Sequence, residues 1–63
     1  MKSRFIQVYD TEKKDYVMVN ADRILLVRWS DNEFELDGGK VIHTDFPGIQ
    51  TVKDTILNFM EEI

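Results

Sequence analysis

The stretch ILLVRWSDNEFELDGGKVIHT, residues 24–44, decides the fold of this chain. It opens with Ile24 to Trp29, which is apolar on both faces apart from Arg28 and is typical of a central strand covered on each side. After a turn, Glu33 to Leu36 alternates acidic with apolar side chains. The tripeptide DGG at 37–39 predicts a tight hairpin, because glycine accepts positive φ freely. We therefore expect three antiparallel strands in succession, at 24–29, 33–36 and 40–44.

The segment before this stretch predicts a further hairpin. Phe5 to Tyr9 and Tyr16 to Asn20 are rich in the aromatic and β-branched residues that favour strands, and the charged residues 10–15 separate them. No Pro/Ser-rich linker or internal repeat interrupts the sequence. Residues 1–63 are accordingly predicted to form a single domain.

The segment after it predicts one amphipathic helix at about 52–63, with Pro47-Gly48 ending the sheet. Thr51 with Asp54 three residues later resembles a capping box at the helix start. The apolar residues that recur at helical spacing are Val52, Ile56, Phe59, Met60 and Ile63, with Leu57 widening the stripe. The predicted class is α+β, a five-stranded antiparallel meander sheet with this helix packed on one face.

A second apolar face of the predicted sheet lacks a cover, because one short helix cannot cover both faces of five strands. Either the sheet curls into a small barrel or another chain covers the face. Exposed aromatic and Met side chains are typical of protein interfaces. In the second case we expect Trp29 to anchor the interface. The predicted interface residues are Phe5, Tyr9, Tyr16, Met18, Leu25 and Trp29.

Composition limits the classes of function. The chain has no Cys and one His, which excludes disulfides and a Cys/His zinc site and leaves packing and homo-oligomerisation to stabilise a small core. A net charge of −4 opposes binding to nucleic acid or to an anionic membrane. The sequence lacks both a signal-peptide pattern and the run of about 20 apolar residues that a membrane-spanning helix needs. We expect a cytoplasmic protein without membrane insertion.

Residues that could carry chemistry do not converge in the sequence, so we predict no enzyme activity, no cofactor, no metal and no small-molecule substrate. His43 is the candidate general base, with Asp45 two residues away, but spacing supplies no nucleophile beside it. The acidic side chains at positions 31, 33, 35 and 37 point to one strand face, yet they lack the glycine and glutamate spacing of a calcium loop. A solvated acidic strand face explains them.

Nucleic-acid binding is the alternative function from another class. Arg4, Arg23 and Arg28, with neighbouring aromatic residues, would form a positive patch despite the acidic total. These basic residues are scattered and interleaved with acids, which favours solvated surface charges instead.

Four segments together form a recognisable pattern: the corner Val19-Asn20-Ala21-Asp22-Arg23-Ile24, then Asp31-Asn32 before a strand, then Leu36-Asp37-Gly38-Gly39-Lys40, and a short helix containing Thr51-Val52 and Ile56. This pattern resembles the FlbD family of small bacterial flagellar and swarming-motility accessory proteins. The resemblance implies a bacterial protein-interaction or assembly role and supplies no catalytic residues. The leading functional prediction is thus an accessory module that binds protein through an apolar sheet face.

Overall fold

Five strands followed by one helix make up residues 4–61, the part of the chain that this computed structural model describes. The strands are β1 (Phe5–Asp10), β2 (Asp15–Asn20), β3 (Ile24–Arg28), β4 (Glu33–Leu36) and β5 (Val41–His43), and the helix is α1 (Phe46–Glu61). Side chains are described for residues 4–58, so the predicted apolar positions Phe59, Met60 and Ile63 lie outside them. The α+β class with antiparallel strands and a C-terminal helix is confirmed.

The strands are divided between two sheets instead of forming the one predicted sheet. In the first sheet β1 pairs with β2. In the second sheet β4 lies between β3 and β5, and every pairing is antiparallel. Between the sheets, residues 21–23 form a 3₁₀ turn in which the Asn20 side chain accepts a hydrogen bond from the Asp22 N–H. This turn redirects the chain after β2 and separates β2 from β3. Within residues 4–61 the strands do not close into a barrel, so the barrel alternative is wrong for this part of the chain.

The core lies where the inner faces of both sheets meet α1. Val8 and Val19 come from the first sheet, and Phe34 is the central side chain of the second. From the helix, Ile49 and Val52 are fully buried, and α1 packs along β1. Among residues 4–61, no helix has the length and apolar character that a membrane crossing requires.

A bulge interrupts the alternation of β3. The pairing with β4 shifts between Ile24 and Leu26, so that Val27 lies opposite the buried Phe34 and packs against the core. Leu25 and Leu26 are both exposed. Strict alternation would have grouped Val27 with Leu25, and the register shift is what separates them.

The helix begins at Phe46, six residues before the predicted start at Val52. Asp45 caps it, because its Oδ1 accepts a hydrogen bond of 2.8 Å from the Gly48 N–H. Pro47 is tolerated in the first turn, where its missing N–H would have no helical partner. Thr51, the predicted cap, lies inside the helix and donates its hydroxyl to the Pro47 carbonyl at 3.0 Å.

Asp45→Ala is expected to lower the free energy of unfolding by about 1 kcal/mol, because it removes the helix cap. Urea denaturation followed by circular dichroism measures the change. Asp54→Ala is the matched control, since among residues 4–58 the Asp54 side chain accepts one hydrogen bond, from the Gln50 side chain on the helix surface, a contact of about 0.2–0.5 kcal/mol. A larger loss for Asp54→Ala than for Asp45→Ala would contradict a helix start at Phe46.

Candidate interaction site

The outer side of the β1–β2 hairpin collects four of the predicted interface residues. Antiparallel pairing places Gln7 opposite Met18 and Tyr9 opposite Tyr16, while the intervening residues point to the core. We name this surface the hairpin face; it consists of Phe5, Gln7, Tyr9, Tyr16, Met18 and Asn20. Three of its side chains are largely exposed, at 52% for Phe5, 63% for Tyr16 and 61% for Met18. The hairpin face therefore presents aromatic and Met side chains to solvent.

The hairpin face carries no charged side chain at any of its six positions, although 32% of the chain is charged. The rings of Tyr9 and Tyr16 meet edge to face, with centroids 5.1 Å apart. Cross-strand aromatic pairs of this kind stabilise a sheet and hold both rings in place. Burial of these six side chains would not itself desolvate a charge, which is the usual obstacle to burying a polar protein surface, although Asp45 borders Gln7, Tyr9 and Tyr16 at one side.

Leu25 and Trp29, the other two predicted interface residues, lie elsewhere. Leu25 is 63% exposed beside the bulge of β3. Trp29 follows β3 in a 3₁₀ turn, and its ring contacts the ring of Phe46 edge to face at 6.0 Å between centroids. The Lys53 Nζ lies 4.5 Å from the Trp29 ring centroid. Trp29 is thus partly covered by α1 and does not join the hairpin face.

The groove beside Trp29 is an apolar surface that sequence reasoning missed in part. It has a volume of about 270 Å³ between β3 and α1, and it is lined by Val27, Trp29, Lys53, Ile56 and Leu57. Phe46 extends this surface through its contact with Trp29. The sequence analysis did not assign Phe46 to this surface, because it predicted that the helix begins after Phe46. If Asp45 is recognised as the helix cap, Phe46 falls in the first turn of α1.

His43 lies in a cluster of charges on the outer side of the second sheet. Its Nδ1 is 3.4 Å from Glu33 Oε1, and its Nε2 is 3.9 Å from Glu12 Oε2. Arg28 binds the same Glu33 at 2.9 Å and also approaches Glu35 at 3.6 Å. Asp45, considered as its partner, instead caps α1. In the described part of the chain, no three His, Asp or Glu side chains gather in a way that would hold a metal ion.

The arginines of the nucleic-acid hypothesis have contacts of their own. Arg23 binds Asp37 at 3.0 Å, and Arg28 is held by Glu33 and Glu35. Arg4 precedes β1, where its carbonyl accepts a hydrogen bond from the Ala21 N–H. Carboxylates beside Arg23 and Arg28 offset the positive charge that a phosphate backbone would need.

Comparisons of the chain with protein-family models, with curated proteins and with solved structures find no match.

Proposed function

We propose that this protein is a small cytoplasmic interaction module that binds protein through the hairpin face. The exposure of Phe5, Tyr16 and Met18 on a surface without charges carries the proposal. Aromatic and Met side chains are enriched, and charged ones depleted, at the cores of protein interfaces. The FlbD resemblance extends the proposal to an accessory role in bacterial motility.

A second copy of the chain is the partner that we propose first. Each copy carries a net charge of −4, which opposes association through most of the surface. The uncharged hairpin face brings no like charges together when it meets the same face of another copy. Two-fold symmetry uses one patch twice, and sheets pack well face to face. The hairpin face is therefore suited to a symmetric homodimer.

Tyr16→Glu is expected to weaken self-association at least about tenfold, because a charge buried against its symmetry mate costs well over the 1.4 kcal/mol that a tenfold change represents. Sedimentation equilibrium over a range of protein concentrations measures the dissociation constant. The matched control is Leu25→Glu, which adds the same charge at a side chain of the same 63% exposure outside the hairpin face. Equal weakening by both variants, or a wild type that stays monomeric, would contradict the homodimer.

Affinity capture from a bacterial lysate tests the broader module and its alternative. The tagged wild type, Tyr16→Glu and Leu25→Glu are compared with and without nuclease, and the captured material is identified by mass spectrometry. Flagellar components that are lost only with Tyr16→Glu would support the motility role. Capture that nuclease abolishes in all three proteins would favour the nucleic-acid regulator and contradict the proposal.

A further inference from the structure

A groove of about 310 Å³ follows one edge of β2. Four consecutive residues of this strand, 17–20, line it. Successive side chains of a strand point to opposite faces, so four in a row border a groove only when it runs along the strand's edge. The opposite side is formed by Leu36 at the end of β4, Lys40 just before β5 and Ile42 within β5. Among the described strands β2 pairs with β1 alone, which leaves its other edge without a strand partner.

The rim of this groove is positively charged on a chain that is negative overall. Lys13, Arg23 and Lys40 line it, together with Asp10. The Asp10 carboxylate is buried and already accepts hydrogen bonds from the N–H groups of Glu12 and Lys13, so it serves the turn between β1 and β2. Arg23 forms a salt bridge with Asp37, which offsets its positive charge. The two lysines supply the remaining attraction for an anionic ligand.

The floor of the groove is apolar. Val19 and Ile42 are buried there, and Val17 and Leu36 border them. The groove therefore combines three features: an unpaired strand edge, apolar depressions beside it and cations around it. Addition of an extended segment to a sheet edge uses all three, since main-chain hydrogen bonds give affinity and pockets for alternate side chains give specificity.

We propose that the groove binds an extended acidic segment of a partner protein, which pairs with β2 as an added strand. Apolar side chains of the segment contact Val19 and Ile42, and its carboxylates lie near Lys13 and Lys40. The groove shares Met18 and Asn20 with the hairpin face, but it runs along the edge of β2 and would bring a second protein to the module. The carboxylate beside Arg23 and the hydrogen-bonding strand edge favour a peptide over a nucleic acid.

A fluorescent peptide of alternating glutamate and valine is the probe. Fluorescence anisotropy is expected to show binding that the double variant Lys13→Glu/Lys40→Glu weakens at least about tenfold. The matched control is Lys14→Glu/Lys53→Glu, which makes the same change of charge at two exposed lysines that do not line the groove. Equal weakening by both double variants, or no binding to the wild type, would overturn the proposal.

N-methylated peptides test strand addition without altering the protein. Of two probes, one methylated at every valine and one at every glutamate, at least one is expected to lose binding about tenfold, because alternate N–H groups of an added strand face β2. Full binding by both would overturn strand pairing. A short single-stranded RNA that binds more tightly than the peptide, and that loses binding in Lys13→Glu/Lys40→Glu, would assign the groove to nucleic acid instead. Tyr16→Glu is expected to retain peptide binding, so failure of the homodimer is distinguishable from failure of this site.

Discussion

Phe34→Ala is expected to unfold most of the protein at room temperature. Phe34 is 0% exposed and lies between Val27 of β3 and Ile42 of β5. Truncation of a buried Phe to Ala costs about 3–5 kcal/mol, because apolar contacts are lost and a cavity remains. The core of a chain of this size rarely supplies more than roughly 3–5 kcal/mol of stability. The loss thus matches the whole margin, and far-ultraviolet circular dichroism during urea titration measures it.

Phe46→Ala is the matched control for this substitution. Phe46 is 59% exposed, and its described ring contact is with Trp29, an interaction of about 0.5–1.5 kcal/mol. The control is expected to keep a cooperative transition at a modestly lower urea concentration. A Phe34→Ala protein with the same midpoint as Phe46→Ala would show that Phe34 is not the centre of the core.

Gly48→Ala is expected to destabilise the protein by about 1–2 kcal/mol, against the usual helix preference for alanine. A methyl group at Gly48 would collide with the Thr44 Oγ1, at a separation that real side chains do not adopt. Overpacking of this kind costs about 1–3 kcal/mol, and the higher helix propensity of alanine offsets at most about 1 kcal/mol. The steric conflict therefore outweighs the gain in helix propensity, and the free energy of unfolding falls. The midpoint of urea denaturation measures this change.

Thr44→Ala tests the cause of that loss. The Thr44 Oγ1 is buried without a hydrogen-bond partner among the described residues, so its removal frees space at low cost. In the Thr44→Ala background, Gly48→Ala is expected to cost about 1 kcal/mol less than in the wild type. Gly38→Ala is the control, because Gly38 has a φ of +84° and open space around it. Rescue of Gly38→Ala by Thr44→Ala would mean that the coupling does not arise from the contact with Gly48.

Local patterns were sufficient to locate the strands. Each strand lies within about one residue of its predicted bounds, because alternation and turn residues act over short distances. The strand predicted at 24–29 ends at Arg28, since Trp29 enters a 3₁₀ turn. The strand predicted at 40–44 spans Val41–His43. These differences concern terminal residues, where turn geometry competes with strand pairing.

The predicted helix start at Val52 is wrong because Pro47-Gly48 was interpreted only as the end of the sheet, whereas both residues lie in the first turn of α1. Proline interrupts a helix interior but is accepted in the first turn, and glycine at this point is required by the approach of Thr44. The position of Asp45 three residues before Gly48 is the local signal that identifies the cap. Proline and glycine therefore argue against a helix when they fall in its interior, but they are compatible with its first turn.

Features that depend on distant parts of the chain were not accessible in this way. The grouping of Phe5, Tyr9, Tyr16 and Met18 followed from alternation, since all four lie on two paired strands. Leu25 was expected beside them, but the bulge in β3 and the division into two sheets place it elsewhere. The groove along β2 depends on how the two sheets meet, which no local pattern records.

The arrangement of the strands also predicts how fast their backbone amides exchange with solvent. β4 is bonded to a strand on each side, whereas β1 and β2 share a single ladder. Backbone amides that are bonded within a doubly flanked strand exchange with solvent deuterium only through larger openings than those of a lone hairpin. The β1–β2 hairpin, which bears both proposed contact surfaces, therefore opens more readily than β4. Binding at either surface is expected to slow the exchange of the hairpin amides more than the exchange of amides in any other described strand.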